Sequence, residues 1–254
     1  MLETGTILKR LYERLESPAK NRTVTDLRIG MGYIGVRLDN DATGIAAVLL
    51  DALPHGCTVL PAAGSFAGSS SADLLKYLVA GVNSLEIAIG LATANALIET
   101  PSPDALDDRE ATTYLNLQKG TKVVMVGLFA PLVTRIRATG AELTIIERNP
   151  ARMEILGETE KHDALKSCDV VIITATTLLN STFEETVNGL GAPRAVTIMG
   201  PSTPLLPEIF RNTPVTHLGG SVVADAVRVM QIISEGGGAP ALRPYLRLVN
   251  LIIK

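Results

Sequence analysis

TKVVMVGLFAP, at residues 121–131, decides the predicted fold, because a short apolar run rich in β-branched residues leads into a turn and then a helical pattern. Three similar units follow: ELTIIERNP (142–150), DVVIITATTLLNSTF (169–183) and AVTIMGPSTPLLP (195–207). Strands that are apolar along their whole length are typical of a mostly parallel sheet with helices on both faces. With a fifth strand, VTHLGG (215–220), they predict a Rossmann-like α/β unit of strand order 3-2-1-4-5 or 2-1-3-4-5.

The first half of the chain has a different pattern, in which strands come early and helices later. The expected elements are a helix at 4–16, two strands within 23–38, a third strand at 43–50 and helices at 72–80 and 83–99. The stretch TPSPDALDDREA (100–111) carries prolines and a charge cluster, which is typical of a linker. We therefore expect a small α+β domain at 1–105 and a Rossmann-like domain at 106–254.

Composition excludes several classes of protein. The 254 residues carry a formal net charge of −3, so no basic stripe is available for nucleic acid. No apolar run approaches the ~18 residues of a membrane span, and the charged N-terminal helix does not resemble a signal peptide. A cytoplasmic protein is expected. The amphipathic tail LRPYLRLVNLIIK (242–254) is expected to pack on the fold or on a second subunit of a homo-oligomer.

The turn after the first strand argues against an ordinary dinucleotide site. That fingerprint needs three glycines where the backbone approaches a pyrophosphate. Gly127 fills the first position, but Phe129 and Leu132 occupy the other two. NAD is therefore not expected, and Phe129 is either a cap on the core or a flat wall for a ligand.

The second strand ends in Glu147, Arg148 and Asn149. Glu147 follows Gly127 by 20 residues, where nucleotide-binding folds place an acid on the ribose. The carboxylate is either a solvated strand end or a group that holds a ribose hydroxyl or a metal ion. Arg148 could pair with a phosphate or a carboxylate.

The third strand is followed by a dense group of hydroxyl and amide side chains. Helix capping explains one or two of them but not the whole group. We therefore expect Thr176, Asn180 and Thr182 to contribute hydrogen bonds to a ligand.

The fourth strand ends in Gly200, Pro201, Ser202 and Thr203. Thr203 is predicted to be the N-cap of a helix whose first residue is Pro204. A helix begun there would present free backbone N–H groups to a phosphate or carboxylate. The alternative is a rigid strand-to-helix turn.

Two polar residues stand apart from their surroundings. Asn95 lies on the apolar face of the 83–99 helix, where its amide makes either a structural bond or a contact across a cleft. Asp225 is either a first-turn partner of the helix dipole or a site acid, and with Glu147 it is the candidate metal ligand. The pair His55 and Cys57 is a weak metal signal without a second pair.

The chain resembles the family named "Putative heavy-metal chelation" in five sequence segments. In chain order these are GLFAPLV, IERNP, TATTLLNSTFE, GPSTPL and GGSVVAD. The resemblance implies an N-terminal domain similar to the enolase N-terminal fold, a Rossmann-like C-terminal domain and a cleft between them for a metal or metal chelate. Leu128 stands where the family is expected to carry a histidine, which would remove one ligand.

These observations favour a protein that binds or processes a small metal-chelating or anionic molecule in a cleft between the two domains. Its cofactor is expected to be a divalent metal or metal chelate, if there is one. Two alternatives stay open: an enzyme that uses a nucleotide cosubstrate such as S-adenosylmethionine, and a non-catalytic regulatory dimer whose tail helix completes the interface.

Overall fold

The computed structural model describes residues 1–53, 58–99, 109 and 111–253. The first half of the chain forms a small antiparallel sheet with four helices beside it. Its elements are α1 (Thr6–Ala19), β1 (Val24–Ile29), β2 (Tyr33–Leu38), β3 (Thr43–Ala47), α2 (Ser71–Leu75), α3 (Tyr77–Ala80) and α4 (Ser84–Leu97). The predicted strands-then-helices order of this half is confirmed.

The second half alternates strands and helices, as the apolar runs predict. Its elements are β4 (Lys122–Val126), α5 (Ala130–Ala138), β5 (Glu142–Ile146), α6 (Glu158–Ser167), β6 (Val170–Thr174), α7 (Phe183–Asn188), β7 (Ala195–Met199), β8 (His217–Val223), α8 (Ala226–Ser234), α9 (Ala239–Leu242) and β9 (Leu246–Ile252). The mixed α/β class, with a mostly parallel sheet flanked by helices, is therefore confirmed.

The large sheet has the order β5-β4-β6-β7-β8-β9. Counted from β4 as the first strand, this is 2-1-3-4-5, the second of the two predicted orders. The first five strands are parallel. The order reverses between β4 and β6, so the carboxyl ends of these two strands form the switch point at which such sheets commonly bind ligands.

The C-terminal tail is a strand, so its prediction as a helix was wrong. β9 pairs antiparallel with β8 over the whole length of both strands, from His217 opposite Ile252 to Val223 opposite Leu246. An amphipathic sequence can satisfy either conformation. The edge of β8 carries backbone N–H and C=O groups that need hydrogen-bond partners. The tail forms a strand because pairing with β8 supplies those partners.

Both faces of the small sheet are covered, and the two covers come from opposite halves of the chain. Helix α4 contacts β2 and β3, whereas α8 from the second half contacts β1 and β2. Ile45 of β3 is buried together with Val229 and Ile233 of α8. The approach is so close that a Cβ on Gly30 would overlap the carbonyl oxygen of Ile233. The small sheet therefore depends on a helix from the far end of the chain.

The pair His55 and Cys57 lies outside the described residues, as does most of the predicted linker at 100–111. Among the helices that are described, none has the length and apolar character to cross a membrane.

Candidate functional site

A cavity of about 200 Å³ opens between the small sheet and the carboxyl ends of β7 and β8. Strand β3, the last turn of α4, the loop after β7 and the end of β8 form its walls. The polar side chains in its lining are Asp41, Thr43, Asn95, Glu99, Thr203 and Ser221. The cavity lies at the edge of the sheet formed by the carboxyl ends of the parallel strands, the edge at which open α/β sheets bind ligands, but at β7 and β8 rather than at the switch point between β4 and β6.

Asn95 connects three parts of the wall. Its Nδ2 donates to the carbonyl oxygens of Ile45, at 3.0 Å, and Ser202, at 3.3 Å. Two carbonyl acceptors require the NH₂ group on that side, which fixes the orientation of the amide. The other atom, Oδ1, is buried and has no hydrogen-bond partner within the described structure.

Ser221 adds a second unsatisfied group to the same lining. Its Oγ is also buried, and it finds no partner among the residues that the structure describes. A buried polar atom without a partner costs about 1–3 kcal/mol of stability. Both residues, Asn95 and Ser221, belong to the lining of one cavity.

Ser202 and Thr203 hold the loop after β7 in place. Both are buried, at 1% and 2% exposure. The backbone N–H of Ala47 in β3 donates to the Oγ of Ser202 at 2.8 Å, and the Oγ1 of Thr203 donates to the carbonyl oxygen of Gly219 in β8 at 3.1 Å. Pro201 and Thr203 line the cavity, whereas Ser202 lies outside the lining and bonds to β3.

The predicted helix N-terminus at Thr203 was wrong. Residues 203–206 are irregular, and only a 3₁₀ turn at Pro207–Phe210 follows. Pro207 disfavours the helical conformation in the preceding residue, and Leu206 has φ −131° and ψ 85°. A helix begun at Pro204 would also lack the N–H of Pro207 within its first turns. The loop therefore supplies no helix dipole for an anion.

Glu147 is buried at 6% exposure, and both of its oxygens are occupied. Oε1 accepts from the backbone N–H groups of Arg148, at 2.7 Å, and Asn149, at 3.1 Å. Oε2 accepts from the N–H of Leu128, at 3.1 Å, and lies 2.9 Å from Nη1 of Arg152. These four contacts use the four acceptor positions of a carboxylate.

The pKa of Glu147 reflects the same contacts. Burial raises it, but the N–H groups of Asn149, Arg148 and Leu128 and the charge of Arg152 together hold the pKa below its ordinary value. The carboxylate is therefore ionised and ties the turn after β5 to the turn after β4. Arg148 is exposed beside it.

The structure separates the two predicted metal ligands. Glu147 follows β5 at one side of the sheet, whereas Asp225 follows β8, four strands away. At about 4.8 Å per strand, this is a separation on the order of 20 Å. Asp225 is the N-cap of α8, where its Oδ1 accepts from the N–H of Arg228 at 3.0 Å. Within the described ranges, no group of three or more His, Cys, Asp or Glu residues could hold a metal ion.

The hydroxyl-rich segment after β6 makes bonds within itself. The Oγ1 atoms of Thr174 and Thr176 lie 3.0 Å apart. Oδ1 of Asn180 accepts from the hydroxyl of Thr182 at 2.6 Å. None of Thr176, Asn180 and Thr182 belongs to the lining of the cavity. Their contact with a ligand stays a prediction, and the structure gives each a local bond.

Gly127, Phe129 and Asn149 belong to the switch-point side of the sheet. Gly127 has φ +85°, and a Cβ there would lie 2.6 Å from Cγ2 of Thr174. Phe129 is the N-cap of α5 and packs partly against the core. Nδ2 of Asn149 donates to Oδ2 of Asp51 at 2.9 Å, a second link between the two halves of the chain.

The structure thus brings Asn95, Pro201 and Thr203 together in the lining of the cavity. Ser202 is bonded to Asn95 outside the lining, and the other predicted residues do not belong to the lining. Sequence reasoning missed Ser221, Asp41 and Glu99. Ser221 belongs to the segment GGSVVAD, near the end of the predicted fifth strand, and this position could have indicated a site residue. Asp41 has φ +65° in the turn before β3, and Glu99 follows α4.

Both halves of the chain are similar in sequence to known protein families. Family models described as "Putative heavy-metal chelation" match residues 12–98 and 110–252. An uncharacterised protein of Methanocaldococcus jannaschii is 24% identical over 238 residues, which cover 88% of each chain.

Two crystal structures of proteins of unknown function have the same fold. The Pyrococcus horikoshii protein superposes with a TM-score of 0.82 at 19% identity, over 97% of this chain and 100% of its own. The Desulfitobacterium hafniense protein gives 0.79 at 22% identity, over 97% of each chain. Both are members of the family whose model matches residues 110–252. That match spans more than half of the sequence, and the chain belongs to the family described as "Putative heavy-metal chelation".

Proposed function

We propose that the protein binds a small metal-chelating molecule in the cavity between the small sheet and the ends of β7 and β8. The observation that carries this proposal is that two residues in the lining of one cavity, Asn95 and Ser221, each have a buried polar atom, Oδ1 and Oγ, without a partner among the described residues. A ligand that hydrogen-bonds to both would remove their unfavourable burial. The family description supports a metal chelate as that ligand.

The donor set favours a chelate over a bare soft metal ion. The described residues of the lining offer hydroxyl, amide and carboxylate oxygens, and they include neither cysteine nor histidine. Soft heavy metals prefer thiolate and imidazole ligands, so these residues do not fit such an ion directly. A chelate brings most of its own ligands, and the protein then has to recognise only its outer surface.

The nucleotide alternative has less support. It requires Glu147 to receive a ribose hydroxyl, but that carboxylate already accepts from three backbone N–H groups and pairs with Arg152. The regulatory-dimer alternative assigned the interface to a tail helix, and the tail is strand β9. Self-association itself stays a prediction.

Isothermal titration calorimetry tests the proposal with four probes: NiCl₂, citrate, nickel(II)–citrate and nickel(II)–diethylenetriamine. We expect at least one complex to bind with micromolar affinity while free Ni²⁺ binds more weakly. Ser221→Ala and Asn95→Ala should weaken that binding about tenfold, the effect of one or two lost hydrogen bonds. Binding that is unchanged in both variants, or absent for both complexes, would place the function elsewhere.

A further inference from the structure

The cavity wall presents acceptors more than donors. The NH₂ group of Asn95 is used on the carbonyl oxygens of Ile45 and Ser202, so that only its carbonyl oxygen is left for a ligand. The hydroxyl of Thr203 donates its proton to the carbonyl oxygen of Gly219. The Oγ1 atom of Thr203 can therefore only accept a further hydrogen bond. Ser221 Oγ can act in either direction. A ligand that bonds to Asn95 Oδ1 or to the hydroxyl oxygen of Thr203 must therefore supply the proton.

The charge at the cavity is negative. Among the described residues of the lining, Asp41 and Glu99 are the ionisable ones, and neither lysine nor arginine is present. Asp41 is paired with Arg37 at 2.7 Å, whereas Glu99 makes no ion pair within the described part of the chain. Both carboxylates are exposed, so their field is screened and acts mainly on the approach of a ligand.

The remaining lining suits a short aliphatic chain. Much of the rest of the wall is apolar, including Ala42, Ile45, Ala96, Leu205 and Val222. A volume of about 200 Å³ corresponds to six or seven water molecules, at about 30 Å³ each.

We infer that the cavity selects a positively charged small molecule that carries N–H donors, either a protonated amine or an amine complex of a metal ion. The inference rests on the proposed function and adds the charge and hydrogen-bonding character of the ligand. An N–H group satisfies Asn95 Oδ1 and Ser221 Oγ, and the positive charge is attracted by Glu99. A carboxylate in the same place would set its acceptor oxygens against Asn95 Oδ1 and its negative charge against that of Glu99.

Two pairs of probes test the sign of the charge. The first pair, 1,4-diaminobutane and succinate, is matched in its four-carbon length. The second pair is nickel(II)–diethylenetriamine and nickel(II)–citrate, which differ in charge and also in size. In at least one pair we expect the cationic member to bind about tenfold more tightly at pH 7 and low salt. Binding of diaminobutane identifies the free amine as the source, and binding of the nickel amine complex alone identifies the metal complex.

Three variants connect the preference to the cavity. Glu99→Gln should weaken the cationic probe about two- to fivefold, the effect of one exposed ion pair. Ser221→Ala should weaken it about tenfold, whereas Glu154→Gln, which removes an exposed carboxylate after β5, should leave it unchanged. Tighter or equal binding of the anionic member of each pair overturns the inference, as does a preference that survives Glu99→Gln undiminished.

The two proposals fail in different ways. If nickel(II)–citrate binds tightly and Ser221→Ala weakens it, the site stands and the cationic preference is wrong. If none of the four probes binds, both are wrong.

Discussion

Asn95 and Ser202 are 107 positions apart in the sequence, yet Nδ2 of Asn95 donates to the carbonyl oxygen of Ser202 at 3.3 Å. The same nitrogen donates to Ile45, so one amide joins α4, β3 and the loop after β7. The bond links a lining residue of the cavity to the loop after β7. A single change at Asn95 should therefore weaken the contact between the two halves of the chain.

Asn95→Asp should lower the free energy of unfolding by about 2–3 kcal/mol, because a carboxylate cannot donate to the two carbonyl oxygens. Urea unfolding followed by circular dichroism measures the loss. Asn40→Asp is the matched control, since Asn40 uses only its Oδ1, as an acceptor for the N–H of Ala42 at 3.3 Å. Equal unfolding midpoints for the two variants would contradict the role of the amide.

Ser221→Ala should leave stability unchanged or raise it slightly, because the substitution removes a buried hydroxyl without a partner. Ser71→Ala is the matched comparison. Ser71 is fully buried, and its Oγ donates to the carbonyl oxygen of Ala19 at 2.8 Å. We expect Ser71→Ala to cost about 1–3 kcal/mol in urea unfolding. A similar cost at Ser221 would show that its hydroxyl has a structural partner.

Gly127→Ala should destabilise the protein through two separate effects. The positive φ of +85° costs about 1–2 kcal/mol for a residue with a Cβ, and the new Cβ would lie 2.6 Å from Thr174 Cγ2. Gly64→Ala isolates the first effect, since φ is +92° and nothing lies within 4 Å of its added Cβ. Thr174→Ser removes the obstructing methyl group, so the double variant should recover part of the loss in a thermal-unfolding cycle.

The low pKa of Glu147 predicts a stability loss in acid. A carboxyl whose folded pKa lies below its ordinary value of 4.5 stabilises the protein above that pH. The contribution disappears as the pH falls through the folded pKa. Glu147→Gln should therefore cost about 1–3 kcal/mol at pH 7, and the difference from the native protein should shrink as the pH falls below about 4. Glu142→Gln, at the exposed start of β5, is the control. A pH-independent difference would contradict the assignment.

Glu184 caps a helix from the other half of the chain. The residue before α1 is Gly5, which has no side chain to offer, and Oε1 of the buried Glu184 accepts from the N–H of Ile7 at 3.1 Å. Glu184→Ala should cost about 1–2 kcal/mol and speed amide exchange in the first turn of α1. Its exposed neighbour Glu185 supplies the control variant Glu185→Ala. Equal exchange rates in the two variants would show that the cap is dispensable.

Much of the fold is encoded locally, and so it could be predicted. The β-branched runs that became β4, β5, β6 and β7 carry their own signal, because a strand buried on both faces has few polar positions. The tail is different. Its amphipathic pattern permits a helix or a strand, and only the free edge of β8, which lies distant in sequence, decides for β9. The choice between the two strand orders depends likewise on contacts between distant segments.

The site was predicted less well, for a related reason. Asn95 stood out because a single amide on an apolar helix face needs partners, and it found them across the cavity. Glu147 had the spacing of a ribose acid, but spacing does not reveal that the surrounding N–H groups occupy its oxygens. Ser221 was passed over because a serine at a strand end is common, and an unsatisfied hydroxyl can be recognised only when its neighbours are known.

The position of α8 across the small sheet has a consequence for biosynthesis. A ribosome makes β1, β2 and β3 before any strand of the large sheet, whereas α8, the helix that covers their second face, emerges only after β8. Until then the nascent chain exposes the apolar surface around Ile45, and partly folded chains with such surfaces tend to aggregate. A ribosome stalled before residue 226 should therefore hold a chain that chaperones recognise, and release of the finished protein should end that interaction.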